Sequence, residues 1–362
     1  MGGKQDKWKE ALLRSGVPLE ISVAQALSGR EWFVHDELSF TVVRPDKSTV
    51  VRSVDIHAWW SSPVAELRVL AECKYRRDGI KWFFVGNPCA QLDRTAWVTS
   101  CLVGPFVPPW YYDGPCVFPP VVYFAHRPRN PNDLLLPVVR KGVEIIPGDQ
   151  GSDKVAKSSD ESRIKTALYQ VRYGVAAVQY GFPPLAKEEL DSYVSSHHFH
   201  FTIPMVVTTA ELFILKDQIG VKEVRGAQDI EEIAERSPAL IVRGNLDREL
   251  RTYNQLLLEE NCQRLLNSQP KGQSAEAWRS QMFSRPGGTQ SSFAEMQCRN
   301  GADRVLIVNW GSFAEIMGEI RRLFNDVDAL EPDALTRRGH YHGLVYNIRS
   351  RHSRLAPLQA EQ

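Results

Sequence analysis

RSVDIHAWWSSPVAELRVLAECKYR, residues 52–76, is the stretch on which the fold turns. Two apolar runs flank a Ser-Ser-Pro turn, and each is rich in the β-branched, aromatic and aliphatic residues that favour extended chain. Yet the first carries Asp55 and the second carries Glu72 and Lys74, whose ionised heads are costly to remove from water. Side chains alternate across a strand, so Glu72 and Lys74 leave one face while Ala71, Cys73 and Tyr75 leave the other. On the preceding strand Asp55 is expected to share a face with Ser53 and His57, leaving Val54, Ile56 and Ala58 as the apolar side. If the two strands are neighbours, two carboxylates and an ammonium converge. The plainer alternative is a solvated strand face with a cross-strand ion pair, which contributes little.

Working outward, VPLEISVAQALS (17–28) repeats apolar side chains at helical spacing, with Leu19, Val23 and Leu27 on one stripe, Glu20 in the first turn and Gly29 as a stop. EWFVHDELSFTVV (31–43) predicts a strand, so the order is one helix and then three strands. Residues 86–124 are dense in proline and aromatics and predict an irregular insertion, and PGDQGSDKVAKSSDES (147–162) predicts an exposed connection. RIKTALYQVRYGVAAVQYG (163–181) has strong helical periodicity, and HFHFTIPMVVTTAELFIL (198–215) reads as two strands. Helices are predicted at 228–236 and 246–266, a polar excursion at 267–292, then the buried strand RVLIVNW (304–310) and the closing helix GSFAEIMGEIRRLF (311–324).

This order predicts an α/β fold with a mixed central sheet flanked by helices. One domain with insertions is expected. Residues 1–220 form the core, with an insertion at about 86–150, and residues 221–362 form a mostly helical C-terminal elaboration with a strand at about 304–309, packed on the same domain.

Of the 362 residues, 43% are apolar and 24% charged, and the formal net charge of +1 argues against a surface that is basic throughout, although local basic patches remain open. No apolar run reaches the roughly 18 residues of a membrane span, and MGGKQDKWKEALLRSG lacks the apolar centre of a signal peptide, so a cytoplasmic location without a membrane partner is expected. The six cysteines form no C-x-x-C pair and have no histidines at zinc-ligand spacing, which points to free thiols.

Arg52-Ser-Val-Asp55 followed seventeen residues later by Glu72-Cys73-Lys74 resembles the D…E-x-K signature of the PD-(D/E)xK nucleases, the restriction-endonuclease-like fold. In that family a glutamate often lies on the helix before the first strand, where Glu20 stands here, and a helix and a strand follow the core. The resemblance covers residues 16–84 and, more loosely, 162–215, through the helix holding Gln170 and the strand MVVTTAEL. It departs at residues 86–150, which separate the E-x-K strand from its following helix, and after 220, where only RVLIVNW would complete the sheet.

The resemblance implies a metal-dependent nuclease acting on phosphodiester bonds of nucleic acid, DNA before RNA, in defence or repair. By that resemblance Asp55 and Glu72 hold Mg²⁺ or Mn²⁺ with the backbone carbonyl of Cys73, Glu20 acts through water or a second metal, and Lys74 orients or deprotonates the attacking water. Gln170 is the weakest candidate. Arg52, Arg76, Arg77 and Lys81, near the strand ends, are placed to contact phosphates, and Trp82 to lie against a sugar or base. A second copy or another protein partner is expected to engage the C-terminal part.

Two alternatives stay open. A binding or scaffold protein could keep the fold without cutting, and paired carboxylates could serve glycosidic chemistry, although that has no need of Lys74. His198 and His200 of HHFH, GHYHG (339–343) and the aromatics of PPWYYDGP (108–115) read more simply as surface or packing than as sites, whereas the acid-free tail RRGHYHGLVYNIRSRHSR (337–354) fits electrostatic binding to a phosphate backbone and a solvated tail equally.

Overall fold

The computed structural model describes residues 7–44, 46–61, 65–86, 123–125, 136–146, 157–159, 162–180, 199–244, 248–267, 274, 304–328 and 345–347. PPWYYDGP, His198 and GHYHG lie outside the described residues, as do most of the insertion and of the tail.

Helices α1 (Lys7–Arg14) and α2 (Val17–Ser28) precede the meander β1 (Phe33–Val43), β2 (Thr49–Ser61) and β3 (Ala65–Lys74). Then come β4 (Lys81–Gly86), β5 (Tyr123–Ala125), β6 (Val138–Ile146), β7 (Lys157–Ser159), α3 (Ser162–Tyr180), β8 (Phe199–Thr208) and β9 (Glu211–Leu215). The chain continues through α4 (Val221–Gly226), α5 (Ile230–Ile233), β10 (Ala234–Ser237), β11 (Ala239–Arg243), α6 (Arg248–Asn267), β12 (Arg304–Asn309), α7 (Phe313–Asp328) and β13 (Val345–Asn347). Ten strands lie side by side in the order β1-β2-β3-β8-β12-β11-β6-β4-β9-β10, with β7 on β6, while β5 and β13 pair separately. The sheet is mixed: β1, β2 and β3 alternate in direction, whereas β8 runs parallel to β3 and β12 parallel to β8.

Helices cover both faces. On one, Leu19, Val23 and Leu27 of α2 and Phe313, Ile316, Met317 and Ile320 of α7 pack with Ile56, Ala58, Val69, Ala71, Cys73, Met205 and Leu306. On the other, Ile164, Leu168 and Val171 of α3 pack with Val206, Leu240 and Ile307, while its Val175 and Val178 pack with Val54 and Leu70. The helical stripes read from sequence are the buried ones, each such side chain contributing about 1.5–3 kcal/mol of transfer free energy. Gly174 is a close-approach residue, since a Cβ there would meet Val54 Cγ1 at 2.8 Å. That contact outweighs the ~1 kcal/mol cost of glycine inside a helix.

The C-terminal part joins the same sheet rather than standing outside it. RVLIVNW supplies β12 between β8 and β11, in the middle of the sheet, and Asn309 Nδ2 donates to the Ala210 carbonyl at 2.8 Å. The helix expected at 228–236 is a correction: only Ile230–Ile233 is helical, and Ala234–Ser237 pairs with β9, because Ala234 and Ser237 are buried while Glu235 and Arg236 face solvent. VVRKGVEII and ALIVR became β6 and β11, strands that sequence reasoning passed over.

Candidate active site at the fork of two strands

The β2–β3 pairing starts at Ser61↔Glu66 and ends at Ile56↔Ala71. Beyond that point both strands continue, but β2 pairs only with β1, and Glu72, Cys73 and Lys74 pair with Val206, Val207 and Thr208 of β8. The two strands splay, and Asp55 and Glu72, the next residues in register, stand at the mouth of the fork.

Asp55 does not occupy an ordinary position in its strand. Ile56 and Ala58 pack on the α2 face, whereas Val54 packs on the α3 face with Leu70, Val175 and Val178. Strict alternation would put all three together, so the expectation of one apolar side from Val54 to Ala58 is corrected. The strand turns over at Asp55. Opposite it on β1, Glu37 has φ of 51° and drops out of the pairing register between Asp36↔Ile56 and Leu38↔Val54. A left-handed conformation costs a non-glycine residue about 1–2 kcal/mol. The result is that the Asp55 carboxylate reaches sideways and its Oδ2 accepts the Cys73 N–H at 2.7 Å, replacing a missing ladder bond.

Cys73 meets Asp55 through its backbone only. Its side chain is buried on the α2 face with Ala71 and Tyr75, as alternation requires, and burial, with Asp55 and Glu20 nearby, pushes the thiol up. In a strand, a residue's N–H and C=O leave the same edge, so the Cys73 carbonyl is also directed toward the fork.

Glu72 is fully buried. Its Oε1 accepts from Lys74 Nζ, while its Oε2 is buried with no hydrogen-bond partner. Burial, then the negative charges of Asp55 and Glu20, push its carboxyl up to about 7 against the opposing pull of Lys74. Asp55 is raised by burial, with the Cys73 N–H and Lys74 opposing and Glu37 adding to it.

Glu20 joins from α2. Gly16, at φ of 88°, opens that helix, and its carbonyl accepts the N–H groups of Leu19 and Glu20. A Cβ at Gly16 would stand 3.1 Å from Glu20 Oε1, so glycine leaves room for the glutamate to turn back over the helix start. Partial burial and then Asp55 raise the Glu20 carboxyl, while Lys74 lowers it. Glu20, Asp55, Glu72 and Lys74 therefore form one electrostatic cluster. Glu37, exposed beside Asp55, is a further acidic neighbour that sequence reasoning missed; the only sequence signal is an acid interrupting a strand.

The backbone beyond Lys74 is clamped by Thr208 and Thr209. Thr208 Oγ1 donates to the Lys74 carbonyl at 2.9 Å, Thr209 Oγ1 donates to the Arg76 carbonyl at 2.7 Å, and the Arg76 N–H donates to Thr209 Oγ1 at 2.6 Å. Sequence reasoning missed this pair as well, although Thr-Thr ending the apolar run MVV was its signal.

The cations expected to meet phosphates are mostly engaged elsewhere. Arg76 Nε donates to Glu144 Oε2 at 2.5 Å, and Trp82 Nε1 donates to the same oxygen at 2.9 Å. Trp82 is fully buried, so its assignment to a sugar or base, and that of Arg76 to phosphate, are corrected: both satisfy the buried Glu144. The Arg52 guanidinium lies 5.4 Å from the Tyr173 ring centre, toward α3. Lys81 Nζ is 3.6 Å from Glu211 Oε2, and Arg77 is exposed in the turn before β4. Gln170 is half-buried on α3 and forms no hydrogen bond with Asp55, Glu72 or Lys74.

Among the described residues no three His, Cys, Asp or Glu side chains form a ready metal cage. The fork offers two carboxylates and a backbone carbonyl, a sparse oxygen set that suits a hard ion retaining several waters. The unpartnered Glu72 Oε2 is the fit test such an ion meets. Also among the described residues, no helix is long and apolar enough to cross a membrane. Comparison with protein-family models, curated proteins and solved structures finds no match.

Proposed function

We propose that this protein is a metal-dependent nuclease that hydrolyses phosphodiester bonds in nucleic acid, DNA in particular, at the β2–β3 fork, on a restriction-endonuclease-like core. The observation that carries the reading is the buried Glu72 carboxylate, with one oxygen on Lys74 and the other without a partner, beside Asp55. An uncompensated charge in a buried site is strongly destabilising, and the buried Glu72 beside the half-buried Asp55 has one lysine paired to it, so a further cation would compensate the two carboxylates. Supporting it are the strand order β1-β2-β3-β8, with β3 and β8 parallel, and the position of α2 before the meander and α3 before β8.

Asp55, Glu72 and the Cys73 carbonyl would hold Mg²⁺ or Mn²⁺. Bound there, the ion supplies Lewis acidity toward the phosphoryl group and the attacking water. The chain's residues do the rest. The Cys73 N–H fixes the rotamer of Asp55, and the threonine clamp holds the backbone that carries Lys74. Lys74, largely shielded and anchored on Glu72, would orient the attacking water through its ammonium N–H groups.

The test is incubation of supercoiled and linear DNA with the purified protein in Mg²⁺, Mn²⁺ or EDTA. Cleavage that requires the metal is expected. Lys74→Ala should lower kcat by roughly 10²–10⁴-fold, the usual contribution of a positioned acid or base, while calorimetric Mg²⁺ affinity changes little. DNA binding without metal-dependent cleavage by wild type would instead favour a binding protein on the same fold.

A further inference from the structure

The β1–β2 hairpin carries a stacked array of rings leading to the fork. Phe33 and Trp59 face each other across the ladder with ring centres 5.7 Å apart and planes 19° from parallel. His35 stacks on Trp59 at 5.1 Å and 17°, and its cross-strand partner His57 lies 5.3 Å from the same indole. Phe33 is 62% exposed, and His35 is exposed as well. In the pairing register Arg68 of β3 stands directly across from Trp59.

These rings lie on the two strands that lead to the fork. Strand alternation puts Phe33 and His35 of β1, with Trp59 and His57 of β2, on one face, and the next cross-strand position along the ladder is Glu37 and Asp55, where the strands turn over. On β3 the same alternation runs Arg68, Leu70, Glu72. At about 3.3 Å per residue, Trp59 lies roughly 13 Å from Asp55, a span of about four stacked nucleotides. Cross-strand ring pairs can serve the hairpin alone. That role gives no reason for Phe33 and His35 to stay exposed, for Arg68 to stand across from Trp59, and for the ladder to run on to Asp55.

We infer that this ring array is a stacking track for a single strand of the nucleic acid whose phosphodiester enters the fork, with Phe33 and Trp59 taking bases and Arg68 meeting the backbone. The inference rests on the nuclease reading for its polarity toward Asp55. The binding itself does not require cleavage. Aromatic platforms beside cationic side chains are the general means of holding unpaired bases without reading their sequence. The track therefore engages bases about four nucleotides from the cut and does so with little sequence preference.

Fluorescence anisotropy of labelled oligothymidylates of increasing length, up to about a dozen nucleotides, tests this with full-length protein in EDTA, where no cleavage competes. The affinity of wild type should step up once the strand can span fork and track, and tryptophan emission should be quenched at the same step. Phe33→Ala, at an exposed position that the fold tolerates, and Trp59→Ala should each weaken binding by about 5-fold or more and reduce the step, while Trp59→Tyr restores it. Unchanged affinity in both alanine variants would overturn the track, whatever the cleavage assay shows. Oligonucleotide binding that depends on Phe33 and Trp59 in a protein that never cleaves would sustain the track and sink the nuclease reading. No oligonucleotide binding, with a dimer in sedimentation that Phe33→Ala dissociates, would overturn it in favour of contact with a second copy.

Discussion

Glu72→Gln is expected to reduce metal-dependent hydrolysis by roughly 10³-fold or more and, in metal-free protein, to increase stability at neutral and alkaline pH. The activity loss follows from removing a carboxylate ligand, since a bound divalent ion supplies several kcal/mol of charge stabilisation and each 1.36 kcal/mol is about tenfold in rate. The stability gain follows from the direction of the Glu72 shift, from 4.5 up to about 7. A carboxyl whose folded-state pKa is raised contributes stability that is fully present below the unfolded pKa, near 4.5, and lost as pH rises through about 7. Asp55 and Glu20 shift in the same direction. Metal-free wild type should therefore lose on the order of 3 kcal/mol across that window on account of Glu72. The amide does not titrate, so the variant's profile should be flatter and its urea midpoint at pH 8 higher. Mg²⁺ should restore wild type and leave the variant unmoved. Coincident stability profiles for the two proteins would remove the electrostatic argument for the site.

Glu144→Ala is expected to be the most damaging substitution to the fold. Glu144 is fully buried in β6, where Arg76 Nε and Trp82 Nε1 donate to one oxygen and Arg163 Nη1 donates to the other at 3.2 Å. Burial alone would push its carboxyl up, but the bonds from Arg76 and Trp82 and the charges of Arg76 and Arg163 more than offset this and hold it below the ordinary range. Alanine leaves the largely shielded Arg76 uncompensated and the indole N–H of Trp82 without its acceptor. Breaking a buried pair in this way costs about 3–5 kcal/mol, read as a lower urea midpoint at unchanged slope. Glu144→Gln should lose less, since the amide oxygen can still accept from Trp82. A loss below about 1 kcal/mol in the alanine variant would place the cluster in the class of solvated ion pairs. The same network gives the end of the insertion a structural role: β6 neutralises Arg76, two residues beyond Lys74, and so braces the strand end that carries the site.

Much of the core was legible because local chemistry and long-range packing agree there. The apolar stripes of α2 and α3 have helical period, the β1–β2–β3 meander is rich in strand formers, and each charged residue inside it stands out against its neighbours. Alternation alone placed Glu72 and Lys74 on one side and Cys73 on the other. It failed at Asp55, because turning a strand over requires paired irregularities on two strands, Glu37 and Asp55, and neither leaves a periodic trace. It failed again for Arg76 and Trp82, whose partner Glu144 is 68 and 62 residues away in sequence. A cation near a strand end looks alike whether it faces a phosphate or a buried carboxylate.

From its sequence alone this chain was bound to form a mixed α/β layer structure and to carry two acids and a lysine in apolar strands, since composition and periodicity are local properties that survive without a partner. Whether those three groups meet was not local. It depended on where the β2–β3 ladder stops, on β8 holding the opposite edge of β3 through Lys74, and on a helix start that admits Glu20. Those are pairings between segments distant in sequence, and only tertiary packing decides them.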